Sequence, residues 1–279
     1  MMGLSLSSLY YDPKVTRAEK EEEDANLRDA IELIRLEQPR LGYRPLLVHL
    51  KSKGMEIGER RLRRILKKFR LQIRPRKRFV RTTQSDHGQP VYPNHIKNMT
   101  LNGINQVWAA DITYIRITNG FVFLAVILDL YSRKVIGWQI SKRIDAQLTL
   151  DALEMAIRRR RPPKQVIHHS DRGVQYLCED YVAMLQQHDF IISCAERGNP
   201  YDNAFVESFM KTLKENEVYM WEYETYLDVC ERVPHFIEEV YNAKRLHSAL
   251  GYVTPEEFEK RIEMDYEKLN QISRPILTI

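Results

Sequence analysis

VWAADITYIRITNGFVFLAVILDLYSRKVIGWQI, residues 107–140, decides the fold. Ile112, Tyr114, Ile115 and Ile117 make a half-buried strand pattern, which places a strand over 107–117. The turn-forming Thr118-Asn119-Gly120 follows. Two more apolar runs predict strands at 121–131 and 133–140, so the stretch reads as a three-strand meander. Downstream, the pattern switches to alternation: a helix near 145–160, a strand at 165–169, a helix near 177–187, a strand at 190–194, then helices only. Strands joined first by turns and then through helices predict a mixed α/β sheet.

Three acids stand out against this frame. Asp111 leads the alternating run of the first strand, so sheet holds its carboxylate. Asp171 closes the short apolar stretch Val166-Ile167 and precedes Gly173, at a strand's carboxyl end, where open α/β sheets gather their chemistry. Glu207 lies in a helical pattern that begins near Tyr201. Hard divalent cations take oxygen ligands, and a pair of them stabilises both the attacking and the leaving oxygen of an in-line displacement at phosphorus. Three carboxylates suit such a pair. Lys211 and Lys214 follow Glu207 at i+4 and i+7 and share its helix face, positioned to meet phosphate; the same spacing also serves as an ordinary helix-stabilising pair. The preceding Gly198–Asn203 stretch is turn-forming, with Asp202 or Asn203 as the helix cap, and Asp202 competes with Glu207 for the third ligand position. Asp129 with Arg133 reads as a structural turn pair. His169, beside the second ligand, is at most a supporting group. Tyr241, Asn242, Arg245, His247 and Ser248 form a late polar cluster that either braces the Glu207 helix or touches nucleic acid.

The first ninety residues carry a different signal. Leu27, Ile31 and Ile34 recur at helical spacing until Pro39. A short helix follows from Pro45 to about Lys53 and stops at Gly54, and Leu62, Ile65, Leu66 and Phe69 then mark an amphipathic helix whose other face is basic. Two short helices with a glycine-containing turn, the second rich in arginine, predict a helix-turn-helix. Arg61 and Arg64 are the candidates for groove contacts, Lys67 and Lys68 for phosphates. Between Arg60 and Arg81 twelve Lys or Arg occur with no acid, whereas Glu215 to Glu267 holds fourteen acids against five bases; the net charge of +5 hides this asymmetry. Such a basic stretch confers salt-sensitive affinity for nucleic acid, although a solvated helix face has the same composition. The expected organisation is a helical region over 1–73, a basic linker over 74–104, a core over 105–260 and a tail over 261–279.

Composition fits this picture. The chain of 279 residues is 43% hydrophobic, enough for one large and one small domain. Cys178, Cys194 and Cys230 have neither zinc-site nor disulfide spacing, which suits a reducing cytoplasm. No apolar run is long enough to span a bilayer, and the start MMGLSLSSLYYDPK lacks the pattern of a secretory leader, so neither membrane nor export is expected.

From about Asn105 to Phe258 the blocks WAADITYI, LDLYSRKVIGW, HHSDRGVQY, GNPYDNAFVESFMKTLKEN and YNAKRLHSALGYVTPEEFE, in that order, resemble the retroviral-integrase-type core of DDE transposases of bacterial insertion sequences. The similarity is to the OrfB product of elements that encode an OrfA/OrfB pair. PRLGYRPLLVHLKSKGMEIGERRLRRILKKFRL resembles, more loosely, the helix-turn-helix that precedes the core in that family. The resemblance implies an RNase H-like fold and a metal-binding, catalytic triad of Asp111, Asp171 and Glu207; His169 and Asn203, on the residues themselves, are the candidates to support it. It further implies Mg²⁺, or Mn²⁺, as a pair of ions, and terminal-repeat and target DNA as substrates. A homo-oligomer on DNA, an OrfA partner or fusion, and a location on the bacterial nucleoid are implied as well. Two other readings remain open on the residues themselves: a catalytically silent DNA-binding regulator, and an RNase H-like nuclease that only hydrolyses.

Overall fold

The computed structural model describes residues 17–73, 91–196 and 203–272. The chain divides into two compact units, Met1–Arg76 and Lys77–Ile279.

In the first unit three helices, α1 (Arg17–Glu37), α2 (Tyr43–Ser52) and α3 (Glu59–Lys68), enclose a small core. Leu27, Ile31 and Ile34 of α1 pack with Leu46 and Leu50 of α2 and with Leu62, Ile65 and Leu66 of α3. Each of these sets recurs at three or four residues, so one face of each helix is apolar. Gly54 ends the α2 turn at φ 80°, the left-handed conformation that glycine adopts at least cost. The basic side of α3 is not simply solvated. Asp24 of α1, 5% exposed, accepts from Lys68 Nζ at 2.9 Å and Arg64 Nη2 at 3.2 Å, with Arg61 at 3.6 Å. Arg61 also pairs with Glu23 at 2.6 Å. Burial pushes the Asp24 carboxyl up, but the Lys68 hydrogen bond and the Arg64, Lys68 and Arg61 charges outweigh it and hold the group below the usual carboxylate range.

The second unit is a five-stranded sheet in the order β3-β2-β1-β4-β5. β1 (Val107–Ile117), β2 (Gly120–Asp129) and β3 (Val135–Ser141) form the expected antiparallel meander; β4 (Ile167–Ser170) and β5 (Ile191–Cys194) run parallel to β1. This is the mixed sheet of an RNase H-like core. The period-two alternation of β1 splits its side chains between two layers. Trp108 and Ala110 pack against α4 (Ala146–Arg160), α5 (Val174–Leu177) and α6 (Glu179–Gln187). Val107, Ala109 and Ile115 pack against α7 (Ala204–Leu213) and α8 (Tyr226–His235). Gly137 on β3 lets α4 lie directly on the sheet: a Cβ there would meet Ala152 O at 2.3 Å and Ala156 Cβ at 2.8 Å.

Several expectations need correction. Residues 91–104 do not behave as linker: His95 N–H donates to Ser193 Oγ at 2.9 Å, Pro93 O accepts from Cys194 N–H, and Ile96 and Leu101 pack on the core. Prolines and glycines had suggested open chain, but extended backbone can also lie along a sheet edge. Residues 74–90 of the expected linker lie outside the described residues. The tail boundary at 261 is likewise superseded, because α9 (Pro255–Ile272) runs through it, anchored by buried Glu259, which pairs with Arg160 and with Lys134 at 3.2 Å. The Asp129 carboxylate is held by the backbone N–H groups of Asn105, Tyr131 and Ser132 and not by the Arg133 guanidinium. Two π-helical stretches, Lys214–Val218 and Phe236–Asn242, extend α7 and α8; the second follows Pro234, which has no N–H to keep the helical ladder in step.

Gly137→Ala is expected to lower stability by about 1–3 kcal/mol, the usual cost of overpacking, seen as a reduced thermal midpoint. The depressed Asp24 carboxyl stabilises the first unit above the unfolded value of roughly 4, and this contribution disappears as pH falls through the folded value. Hydrogen-exchange protection across Tyr43–Lys68, taken relative to the intrinsic rate at each pH, should therefore fall on acidification in the wild type, and Asp24→Asn should flatten that dependence.

Candidate active site

Parallel pairing of β1 with β4 sets Ala109 opposite His169. Two residues further along each chain, Asp111 and Asp171 emerge side by side at the same end of the sheet. Asp111 shares the parity of Val107, Ala109 and Ile115, the face covered by α7, so it looks toward the helix that carries Glu207. Asn203 ties the start of that helix to the same strand. Its backbone carbonyl accepts the Glu207 N–H at 3.1 Å, and its side-chain amide donates to Ala110 O at 3.3 Å. It occupies the cap position without a side-chain cap bond, having spent its amide on β1. Asp202 lies outside the described residues.

The electrostatics agree with that placement. Asp111 is pushed up to about 7, first by burial and then by the Asp171 charge; Glu207 adds to the rise, while the Ile112 N–H and Lys214 oppose it. Its Oδ1 accepts the Ile112 N–H at 2.8 Å. Asp171 Oδ1 accepts from Gly173 N–H at 2.9 Å, and a Cβ on Gly173 would stand 3.0 Å from that oxygen. Lys214 is half-buried beside Asp111, its ammonium 4.7 Å from the Tyr114 ring centre; desolvation lowers it and Asp111 partly restores it. Lys211 is exposed on the helix.

The donor set fits a hard divalent cation, since all three acids offer carboxylate oxygens and Asp111 is short of positive charge. Asn203 Oδ1 and the Tyr176 hydroxyl are buried there without a hydrogen-bond partner. As the side chains stand, no three acidic, histidine or cysteine residues among the described ones are grouped closely enough to hold one ion.

His169 is fully buried, its Nδ1 2.9 Å from Ser193 Oγ, and so ties β4 to β5 behind Asp171. Its neighbour His168 bonds Tyr181 and is driven down to about 3 by burial, so it stays neutral. Sequence reasoning missed Tyr176 and Tyr114. Tyr176 has its hydroxyl pushed well above the usual range by burial and by Asp111; its only signal was its place in the HHSDRGVQY block. Of the four cations assigned to DNA on α3, Arg61, Arg64 and Lys68 are engaged with Glu23 and Asp24, and Lys67 alone forms no ion pair among the described residues. Within the late polar cluster, the Asn242 side chain bonds both the N–H and the carbonyl of Val135. Tyr241 packs edge-on against Phe209 of α7, so that part of the cluster braces the Glu207 helix.

Comparison with known proteins gives the family. Two profiles, each described as an integrase core domain, match residues 102–200 and 188–255. An uncharacterized 31 kDa protein of insertion element IS600 from Shigella sonnei is 34% identical over 264 residues, 94% of this chain and 97% of its own length. Transposase InsF of insertion sequence IS3A from Escherichia coli K12 is 39% identical over 223 residues, 80% of this chain and 77% of its own. Among solved structures, the catalytic core domain of BIV integrase aligns over 58% of this chain and 99% of its own, with 20% identity and a TM-score of 0.44. Integrase-core profiles across the sheet and full-length likeness to insertion-element proteins together make this chain a member of the DDE transposases of insertion sequences, a family of polynucleotidyl transferases.

Proposed function

We propose that this protein cleaves DNA at the ends of a mobile element and joins the freed 3′-hydroxyl to a target strand, with Asp111, Asp171 and Glu207 holding a pair of divalent cations, Mg²⁺ or Mn²⁺. The observation that carries the reading is the Asp111 carboxyl, half-buried and within range of two further acids, with the Ile112 N–H and Lys214 as its compensation. Bound at these carboxylates, such ions stabilise the attacking and leaving oxygens of an in-line displacement at phosphorus. In the first step a water oxygen forms the new bond to phosphorus while the bond to the 3′ oxygen breaks, and that oxygen leaves as a hydroxyl. In the second, the same 3′-hydroxyl attacks a target phosphodiester and releases a new 3′-hydroxyl there. Neither step forms a covalent bond to the protein.

The chain's own residues hold this arrangement in place. Asn203 fixes the start of α7 on β1, and Gly173 N–H fixes one oxygen of Asp171. Lys214, pressed against Tyr114 and facing Asp111, is placed to meet a non-bridging phosphate oxygen, while exposed Lys211 extends the same basic face. The helices of the first unit grip the duplex through α3. Lys67 makes the direct phosphate contact, and Arg61, Arg64 and Lys68 reach DNA only by exchanging Glu23 and Asp24 for phosphates. A second copy on the DNA and an OrfA partner or fusion belong to the same reading.

Labelled element ends incubated with the protein and Mg²⁺ should yield nicked and joined products, and a pre-cleaved 3′-hydroxyl end should also be joined, which a purely hydrolytic nuclease cannot do. Asp171→Ala should reduce both to background; undiminished joining by that variant rejects the assignment. A second expectation concerns pH. Because the folded Asp111 carboxyl is raised, the native state binds more protons than the unfolded chain between about pH 4 and 7, so stability in EDTA falls as pH rises through that window. Thermal midpoints of Asp111→Asn should lack this decline and exceed those of the wild type at pH 8.

A further inference from the structure

Across α7 from the triad lies a second concentration of positive charge that the reaction does not use. Asp129 fastens the turn after β2, and Arg133 sits in that turn at φ 62°. Its guanidinium carbon lies 3.5 Å from the ring centre of Phe205 on α7. Arg245 and His247, from the segment after the second π-helical stretch, reach the same place. The His247 ring stands edge-on to Tyr241 at 5.1 Å, and Tyr241 in turn meets Phe209 at 4.7 Å. Burial first, then Arg245 and Arg133, drive His247 down to about 3, so both guanidinium charges are felt at one imidazole, which stays neutral.

The cluster has no counterion in an ion pair with it among the described residues. Among the described residues neither Arg133 nor Arg245 forms an ion pair, although both are half-buried, and burial lowers both. Arg133 Nη1 and His247 Nε2 are each buried without a hydrogen-bond partner. The nearest acids do not supply one. Asp129 spends its carboxylate on three backbone N–H groups, and Glu215 acts on Arg245 only at a distance. Two uncompensated guanidiniums and an orphaned imidazole nitrogen are costly to bury unless an anion completes them. Planar guanidinium forks match the oxygens of a phosphate, and Phe205, 45% exposed, leaves the rim of the cluster open to a chain running past it.

We propose that Arg133 and Arg245, backed by His247 and the Tyr241 hydroxyl, form a phosphate-binding site that holds a DNA backbone phosphodiester on the flank of α7 away from Glu207. Residues two apart on a helix point about 200° from one another, so the Phe205 side of α7 is separate from the Glu207 side. The site thus fixes the duplex against the helix without touching the reacting phosphorus. This inference rests on the DNA-joining reading and deepens it.

The test uses the full chain and a short labelled duplex in EDTA, with affinity followed by fluorescence anisotropy as salt is raised. Arg133→Gln and Arg245→Gln should each make the slope of log affinity against log salt shallower by about one. The corresponding lysine variants should keep the slope and bind several-fold more weakly, having kept the charge and lost the fork; they also serve if a glutamine variant fails to fold. Unchanged slope and affinity in folded variants overturn the proposal. So does a slope that is unchanged while inorganic phosphate still raises the thermal midpoint of the wild type and not of the double glutamine variant, which marks a site for free anion. An altered oligomeric state at unchanged slope assigns the cluster to a carboxylate of another protein copy and overturns it as well. With EDTA present no joining occurs, so this outcome is independent of the reaction: wild-type joining with unaltered slopes rejects the phosphate site alone, and absent joining in Mg²⁺ rejects the parent reading alone.

Discussion

A carboxylate held inside the central strand, within range of the charges of two other acids, is the constraint on which the site depends. Asp111 lies on the central strand, its backbone held opposite Val126 in the β2 ladder, two residues past the last pair with β4. The parallel register with β4 delivers Asp171 beside it, and α7, docked through Val206, Phe209, Met210 and Leu213, delivers Glu207. Each placement follows from apolar packing, which supplies the free energy that repulsion among carboxylates removes. Asp111 registers first its desolvation, and then the charges of Asp171 and Glu207, in its raised protonation range. Lys214 offsets part of it, and itself sits where desolvation disfavours its charge. On the proposed function, divalent cations and a phosphate backbone would complete such a site.

Charge handling differs in the two units. In the first, the acids of α1 meet the bases of α3 directly, and Asp24 gathers three cations. On the proposed function, DNA at α3 would compete with that internal acid, so part of the electrostatic gain would go into exchanging one anion for another. In the second, Arg133 and Arg245 form no ion pair among the described residues, and aromatic rings from α7 and the second π-helical stretch shape their surroundings. The contrast follows from sequence composition only in part, because it depends on which helix faces which.

Much of the fold was legible in the residues. β1 follows its alternating run from 107 to 117, and the Thr118-Asn119-Gly120 turn separates it from β2 because Gly120 accepts φ 125°. The places of the three acids in the fold were legible through local context: a strand interior for Asp111, a strand end before glycine for Asp171, and a helix with lysines in register for Glu207. What could not be read was long-range. Asp24 and Lys68 are 44 residues apart, and nothing in either neighbourhood announces the pair. The π-helical stretches were invisible because one extra residue in a turn leaves the apolar pattern nearly unchanged. Residues 91–104 lie on the core through backbone hydrogen bonds, which composition does not report. Asp129 showed the same blindness: its three partners are backbone N–H groups, and a neighbouring arginine drew the expectation elsewhere.

The most direct test of these ideas counts protons. Calorimetric titration of the protein with Mn²⁺ near pH 7, repeated in buffers of different ionisation enthalpy, gives the protons released for each ion bound. Release of a substantial fraction of a proton at pH 7, fading at higher pH and absent in Asp111→Asn, is the result expected if the crowded carboxylates receive the metal. Saturable binding with no proton release, or release that persists in Asp111→Asn, contradicts that assignment.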